Sequence, residues 1–453
     1  MTIQLVQQQP ATRKALPPGP KGNWLTGSLF QFRRDMLAFL TTCARDFGDI
    51  CSFRLGYRQH VLINDPEWIH KVLVTDNNQY VRPYNYLFLQ SSIGNGLLLN
   101  EGKSWMRQRR LMQPLFLKKM LGGYAESAVR ITQKFIQRWQ DGESRDLHAD
   151  MMRLTLLIVA DVIIGIEVDN DADIVERTLD AVMDDYKFRL ETGLNLPTWI
   201  PISQNRRLRS TLSELNKLID ARIASRRAHP GEHDDVLSRL MQAQDEDRQS
   251  MSDELLRDEV ITMLFAGHET TANTLSWTFG LLAQHPDIEA QTVSEIQQQL
   301  GGEIPRANDL ERLSFTQRVL LESMRLYPTA YLLGRKARQE VQIGDYHLPD
   351  GVTVFMSQWV THRDERYFPQ AEQFRPQRWE NGTQSLPEQA YFPFGAGPRL
   401  CIGKDFGMME AMLILATVLP KFRFSPVENK MPTPWPSVTL RPQEGVKVTI
   451  HKR

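Results

Sequence analysis

Ten consecutive residues hold the densest chemistry in this chain. Phe394-Gly395-Ala396-Gly397-Pro398-Arg399-Leu400-Cys401-Ile402-Gly403 brings together an aromatic ring, three glycines, an arginine and a cysteine. A helical pattern comes next, with Phe406, Met409, Leu413 and Ala416 as an apolar stripe at spacings of three and four. Cys401 is therefore expected at or beside a helix N-terminus, where free N–H groups and the helix dipole favour a thiolate. A thiolate is the ligand a soft, redox-active iron takes. Glycines let backbone approach a flat cofactor closely. Arg399 answers an anionic group, and Phe394 covers an apolar face. An isolated Gly-x-Arg-x-Cys would equally suit a structural cysteine in a turn, so the rest of the chain has to decide.

A second unusual string, Ala266-Gly267-His268-Glu269-Thr270-Thr271, lies inside the longest helical pattern, Ser252 to His285. Ser252 caps that helix, Asp253 and Glu254 suit its first turn, and Pro286 breaks the pattern at its far end. Its middle is apolar on most faces, so the helix is expected at the centre of the molecule. Gly, an acid and two threonines are poor choices there on propensity grounds, and broken local rules in a core often mark function. The plain alternative is a kinked helix whose threonine hydroxyls bond to backbone carbonyls.

A third motif is Gly102-x-x-Trp105-x-x-x-Arg109, continued by Pro114-x-Phe116. Trp105 and Arg109 share one helix face, and both are donors suited to a carboxylate. A fourth is Glu322-x-x-Arg325, an i,i+3 pair able to form an ion pair, with Leu326-Tyr327-Pro328 directly after it.

Phe-x-x-Gly-x-Arg-x-Cys-x-Gly, with the three other motifs in this order, resembles the cytochrome P-450 superfamily, the haem-thiolate monooxygenases. The resemblance runs from about Pro17 to the C-terminus. It implies a mainly α fold with a small β region, one haem-binding domain over residues 17–453, and a flexible tail over 1–16. It implies haem b as cofactor, with Cys401 as axial thiolate. Trp105, Arg109, Arg335 and Arg399 then hold the propionates, and Phe394 and Gly403 complete the cofactor loop. In the central helix, Gly267 makes room for dioxygen, while Glu269 and Thr270 manage protons. Alanine at position 266 argues against the covalent haem attachment of some relatives that carry Glu there. Glu322, Arg325 and Arg378 form a structural triad that locks the cysteine loop. Phe88, Phe265, Ala330 and Leu332 line the substrate pocket, near an aromatic- and glycine-rich segment over residues 82–96. Residues 192–204 form a lid.

Composition agrees with a soluble globular enzyme. The 453 residues carry 54 basic and 54 acidic side chains, so nothing points to nucleic acid. Three cysteines make no disulfide framework, which suits a reducing cytoplasm. The Gln-rich N-terminus has no apolar run of membrane-spanning length. The chain reads as a cytoplasmic monomer of bacterial type. No reductase segment comes after the haem domain, so electrons are expected from a separate ferredoxin or flavodoxin with its reductase. Read alone, the charge run at Arg107, Arg110, Lys118 and Lys119 is a solvated face; the resemblance implies that it is where an acidic electron donor docks, with Lys404 as a further member.

The substrate is expected to be a lipophilic molecule. Arg58, beside Tyr57 at a strand turn, suggests an anchor for a fatty acid or similar long apolar acid. A terpenoid or other neutral hydrocarbon is the alternative. A haem-thiolate sensor or lipid-binding protein without turnover is a different class of answer, and the buried Glu269-Thr270 pair speaks against it. A peroxide-driven enzyme is a third, and relatives of that kind tend to replace the pair.

Overall fold

The computed structural model describes residues 16–84, 87–165, 169–192 and 196–453. All but Leu16 of the expected tail, and Tyr86, lie outside the described residues.

The molecule is built on the central helix, Asp253–Gln284. Ser252 caps it, its hydroxyl accepting from the Leu255 amide at 3.3 Å. From Val260 to Phe265 and again from Thr271 to Ala283 almost every side chain is buried, so the helix has no solvent face over those stretches. Its main neighbour is the helix Leu147–Ile164. That helix is capped by Asp146 and ended by Gly165 at φ 61°, the left-handed conformation that suits glycine. Helices Asp169–Thr192 and Ser203–Ala228 pack on each other over one side, and Ser314–Leu326 lies along the other.

The β region is small. One five-stranded sheet runs in the order Ile50–Leu55, Arg58–Ile63, Thr353–Met356, Leu333–Ala337, Tyr80–Val81. All its pairs are antiparallel except Arg58–Ile63 with Thr353–Met356. Gly56 and Tyr57 make the first turn, as their spacing predicts. A C-terminal hairpin, Pro434–Pro436 with Leu440–Pro442, reaches back to the central helix. Lys447–Lys452 pairs with Phe422–Pro426 and Ser144–Asp146.

The helix after Cys401 spans Lys404–Val418. It is not an amphipathic helix with one apolar stripe: every residue from Met409 to Val418 is buried. Glu410 and Thr417 are inside as well, so the apolar spacing showed only part of the buried surface. Among the described residues no helix is long and apolar enough to cross a membrane.

Candidate active site

The cysteine loop is held from three sides. The Cys401 amide donates to the Phe394 carbonyl at 3.0 Å and closes the loop on itself. Gly397 sits at φ 65°, where a Cβ would lie 2.0 Å from the Leu73 carbonyl oxygen. No larger residue fits without moving that backbone.

Behind the loop, Glu322 is fully buried and accepts from both Nε and Nη2 of Arg325 at 2.9 Å. Arg378 Nε reaches the same carboxylate at 2.9 Å, as do Trp379 Nε1 at 2.9 Å and the Arg375 amide at 3.0 Å. Arg325 in turn donates to the His362 carbonyl, and the His362 ring accepts from the Phe392 amide at 3.0 Å. The structure thus brings Glu322, Arg325 and Arg378 together and ties them to the start of the loop. Sequence spacing gave no sign that His362 and Trp379 join them.

Cys401 opens into a cavity of about 1020 Å³. Burial pushes its thiol pKa up, against the Gly403 amide, Arg109 and Lys404, which favour the thiolate. The helix begins only at Lys404, so its end is too weak an influence to outweigh desolvation. A bound metal ion supplies the missing charge, since a coordinating thiol is deprotonated outright.

On one side of the cavity four guanidinium groups converge. Arg109 donates to the Leu400 carbonyl at 2.9 Å. Arg399 stacks on the Trp105 ring, 4.1 Å from its centroid, and reaches Glu101 at 2.6 Å. Arg82 and Arg335 both lower the pKa of Arg399, which burial first brings down to about 10. All four, with Trp105, Phe394 and Gly403, line the cavity. Nη1 of Arg399 is buried without a partner. A half-buried cationic cluster with an unanswered donor calls for an anionic ligand. The volume exceeds the ~300–1,000 Å³ of a drug-sized pocket. These residues fit a planar, dianionic, thiolate-ligated cofactor such as haem. Arg82 and Glu101 had given no local signal, because neither belongs to a spaced motif.

Across the cavity runs the middle of the central helix. Ala266, Gly267, Glu269, Thr270 and Thr271 line it. The helix continues unbroken through Gly267. A Cβ there would meet the Val159 methyls at 3.3 and 3.4 Å, so the glycine also permits close packing against Leu147–Ile164. Thr270 donates to the Ala266 carbonyl at 2.7 Å, and Thr274 and Thr278 repeat that bond one and two turns on. The Thr270 oxygen still has acceptor capacity. Glu269 is not turned toward Thr270. It accepts from Arg441 Nε at 2.7 Å and from the Thr439 hydroxyl, both of the C-terminal hairpin.

Phe88, Phe265, Ala330 and Leu332 all line the same cavity, joined by Leu97, Val438 and others. Arg58 lies at its edge with its guanidinium 3.1 Å from the Tyr84 ring centroid. Of the lid, 193–195 lie outside the described residues. The part of it that begins at Leu196 is tied to the preceding helix by Arg189, which donates to the Leu196 carbonyl at 2.7 Å. On the expected docking face, Arg107 pairs with Asp245 and Arg110 with Glu246, while Lys118, Lys119 and Lys404 are exposed.

Comparison with known proteins covers most of the chain. The model of the family described as Cytochrome P450 matches residues 17–450. A cyclooctatin synthase of Streptomyces melanosporofaciens is 35% identical over 450 residues, 96% of this chain and 95% of its own. A pentalenene oxygenase of Streptomyces avermitilis is 32% identical over 401 residues, 88% of this chain and 89% of its own. A cyclooctat-9-en-7-ol 5-monooxygenase of Streptomyces melanosporofaciens is 31% identical over 408 residues, 89% and 88% of the two chains.

Proposed function

The chain belongs to the cytochrome P450 family, and from that premise we propose that its substrate is a neutral carbocyclic terpenoid. It is a haem-thiolate monooxygenase that needs dioxygen and redox partners. One oxygen atom enters the substrate and the other leaves as water. Haem supplies the oxidising chemistry when bound; the protein supplies position, exclusion of water and protons.

In this reading Cys401 ligates the iron, and Trp105, Arg109, Arg335 and Arg399 hold the propionates. Arg82 joins them as a fifth member. Thr270 offers a hydroxyl to the reacting oxygen, and Glu269 exchanges protons at its carboxylate. The Glu322 network keeps the cysteine loop in register. A separate ferredoxin or flavodoxin with its reductase delivers electrons, docking at Lys118, Lys119 and Lys404.

The observation that carries the substrate class is the cavity wall. Around the expected reaction centre it is formed by Phe88, Leu97, Phe265, Ala330, Leu332 and Val438. Two of its polar groups are answered within the protein, Thr274 by Thr329 at 3.0 Å and Tyr331 by the Ser437 carbonyl at 2.6 Å, while the buried Thr262 hydroxyl is not. Such a wall rewards apolar shape rather than charge. The three relatives named for cyclooctatin, pentalenene and cyclooctat-9-en-7-ol support the same class, and none is named for a fatty acid. A lipophilic acid stays as a second reading because of Arg58, whose Nη1 is buried without a partner at the cavity edge.

The test is a titration of the ferric, haem-loaded protein monitored at the Soret band. Pentalenene is expected to give a saturable low-to-high-spin shift and a long-chain fatty acid none. A shift with the fatty acid alone would reverse the assignment in favour of the Arg58 anchor.

A further inference from the structure

Glu269 and Thr270 are neighbours in sequence, yet adjacent helical residues do not face each other. The Glu269 carboxylate is committed to the C-terminal hairpin through Arg441 and Thr439. Thr439 also accepts from Asn273 Nδ2 at 3.0 Å, and Asn273 Oδ1 faces His148 Nε2 at 2.9 Å. With the amide in that orientation every donor runs one way, from His148 through Asn273 and Thr439 to Glu269. An amide does not hand on a proton without tautomerising, so this chain of bonds is a scaffold for the carboxylate rather than a conduit.

The charged and titratable groups around Glu269 come from four elements. Arg441 lies on the hairpin, His268 on the same helix, His148 on Leu147–Ile164, and Asp180 on Asp169–Thr192 beyond Arg441. Burial lowers the pKa of both histidines, that of His268 to about 4. Both are therefore weak competitors for the anion at neutral pH, and Arg441 is its cation. The Arg441 side chain is 20% exposed and that of Glu269 4%, so the cation is the more solvated member of the pair. The same hairpin walls the cavity with Trp435, Pro436, Ser437, Val438 and Thr439.

We propose that Arg441, assisted by Thr439, is the positioning residue for Glu269, holding its carboxylate ionised and on the hairpin side of the central helix. The hairpin that contacts substrate thereby also governs the residue that handles protons. This rests on the reading of Glu269 as that residue. Two other buried carboxyls show what happens without a cation. Glu259 accepts one backbone amide, from Leu97, and has a second oxygen without a partner. Glu410 is fully buried, with the Thr271 hydroxyl as the one group favouring its charge. Burial pushes both up to about 8. Without Arg441, Glu269 is, like them, a buried carboxyl without a cation, with the Thr439 hydroxyl as its one remaining donor in this network.

The test compares haem-loaded wild type, Arg441→Leu, Arg441→Lys, Glu269→Gln and the Arg441→Leu/Glu269→Gln pair. Two readouts are taken across neutral and alkaline pH. One is peroxide released per NADPH with surrogate redox partners and pentalenene as probe. The other is the infrared stretch of protonated carboxyls without turnover. Arg441→Leu is expected to gain a protonated-carboxyl band at pH 7 that the double variant lacks, and to shift its coupling profile to higher pH. Arg441→Lys is expected to restore both. An Arg441→Leu protein with wild-type band and profile overturns the proposal. If Glu269→Gln couples like wild type, the proton-handling reading fails instead, and the infrared band alone decides whether Arg441 sets the charge. Should Arg441→Leu not load haem, Thr439→Val removes one donor only; an unchanged band and profile there also count against the proposal.

Discussion

Glu322 carries more of the architecture than any motif spacing announces. Five donors converge on one fully buried carboxylate. Removing it leaves Arg325 buried and uncompensated, which costs ~3–5 kcal/mol by comparison with other broken buried pairs. Glu322→Ala is therefore expected to lower the urea midpoint and to abolish haem loading, whereas Lys404→Ala, on an exposed side chain, leaves both unchanged. Equal stability of Glu322→Ala and wild type would show that the network is dispensable. Thr270 makes a different kind of claim. Its hydroxyl already donates to Ala266, so its stabilising role is small and its chemical role is separable. Thr270→Ala should fold and load haem normally yet waste reductant as peroxide. Unchanged coupling would remove Thr270 from the chemistry.

Among elements, the central helix does two jobs. It presents Ala266–Thr271 to the cavity, and it anchors the segment that closes one wall. Asp258 accepts the Asn95 amide at 2.7 Å and Glu259 the Leu97 amide at 2.9 Å, while Leu97 and Leu98 line the cavity. Burial raises Glu259 from its ordinary 4.5 to about 8. The folded state then holds a proton that the unfolded state has lost, so stability is fully present below about pH 4.5 and declines as pH rises to about 8. Glu259→Gln should flatten that slope in urea unfolding measured against pH; the same slope in the variant would contradict the burial argument. Glu410 contributes with the same sign, so some slope should remain.

The helix itself was legible in the sequence. Its cap, its first-turn acids and its apolar middle are local signals, and the first sheet turn at Gly56-Tyr57 is another. What was not legible is whatever depends on distant partners. Thr439 and Arg441 meet Glu269 across separations of 170 and 172 residues. Arg82 joins Arg399 and Arg335 from an irregular segment. No periodicity encodes such contacts. The stripe after Cys401 is buried as read but incomplete for a related reason: pattern shows apolar residues, and Glu410 is buried without being one.

At the scale of the whole molecule, three motifs that lie far apart in sequence line one cavity, and the fourth, Glu322-x-x-Arg325, braces the cysteine loop from behind. Cys401, the converging arginines, the middle of the central helix and the apolar wall face it from different elements. The fit of cationic cluster to one end and thiol to the floor is what makes a thiolate-ligated, dianionic cofactor the consistent occupant. The most direct test of that claim is the spectrum of the reduced, carbon monoxide-bound protein, taken for wild type and for Cys401→Ala. Wild type is expected to give the thiolate-type band and the variant to lose it while keeping its fold by circular dichroism. A variant that kept the thiolate-type band would contradict the assignment of Cys401 and the account of the cavity built on it.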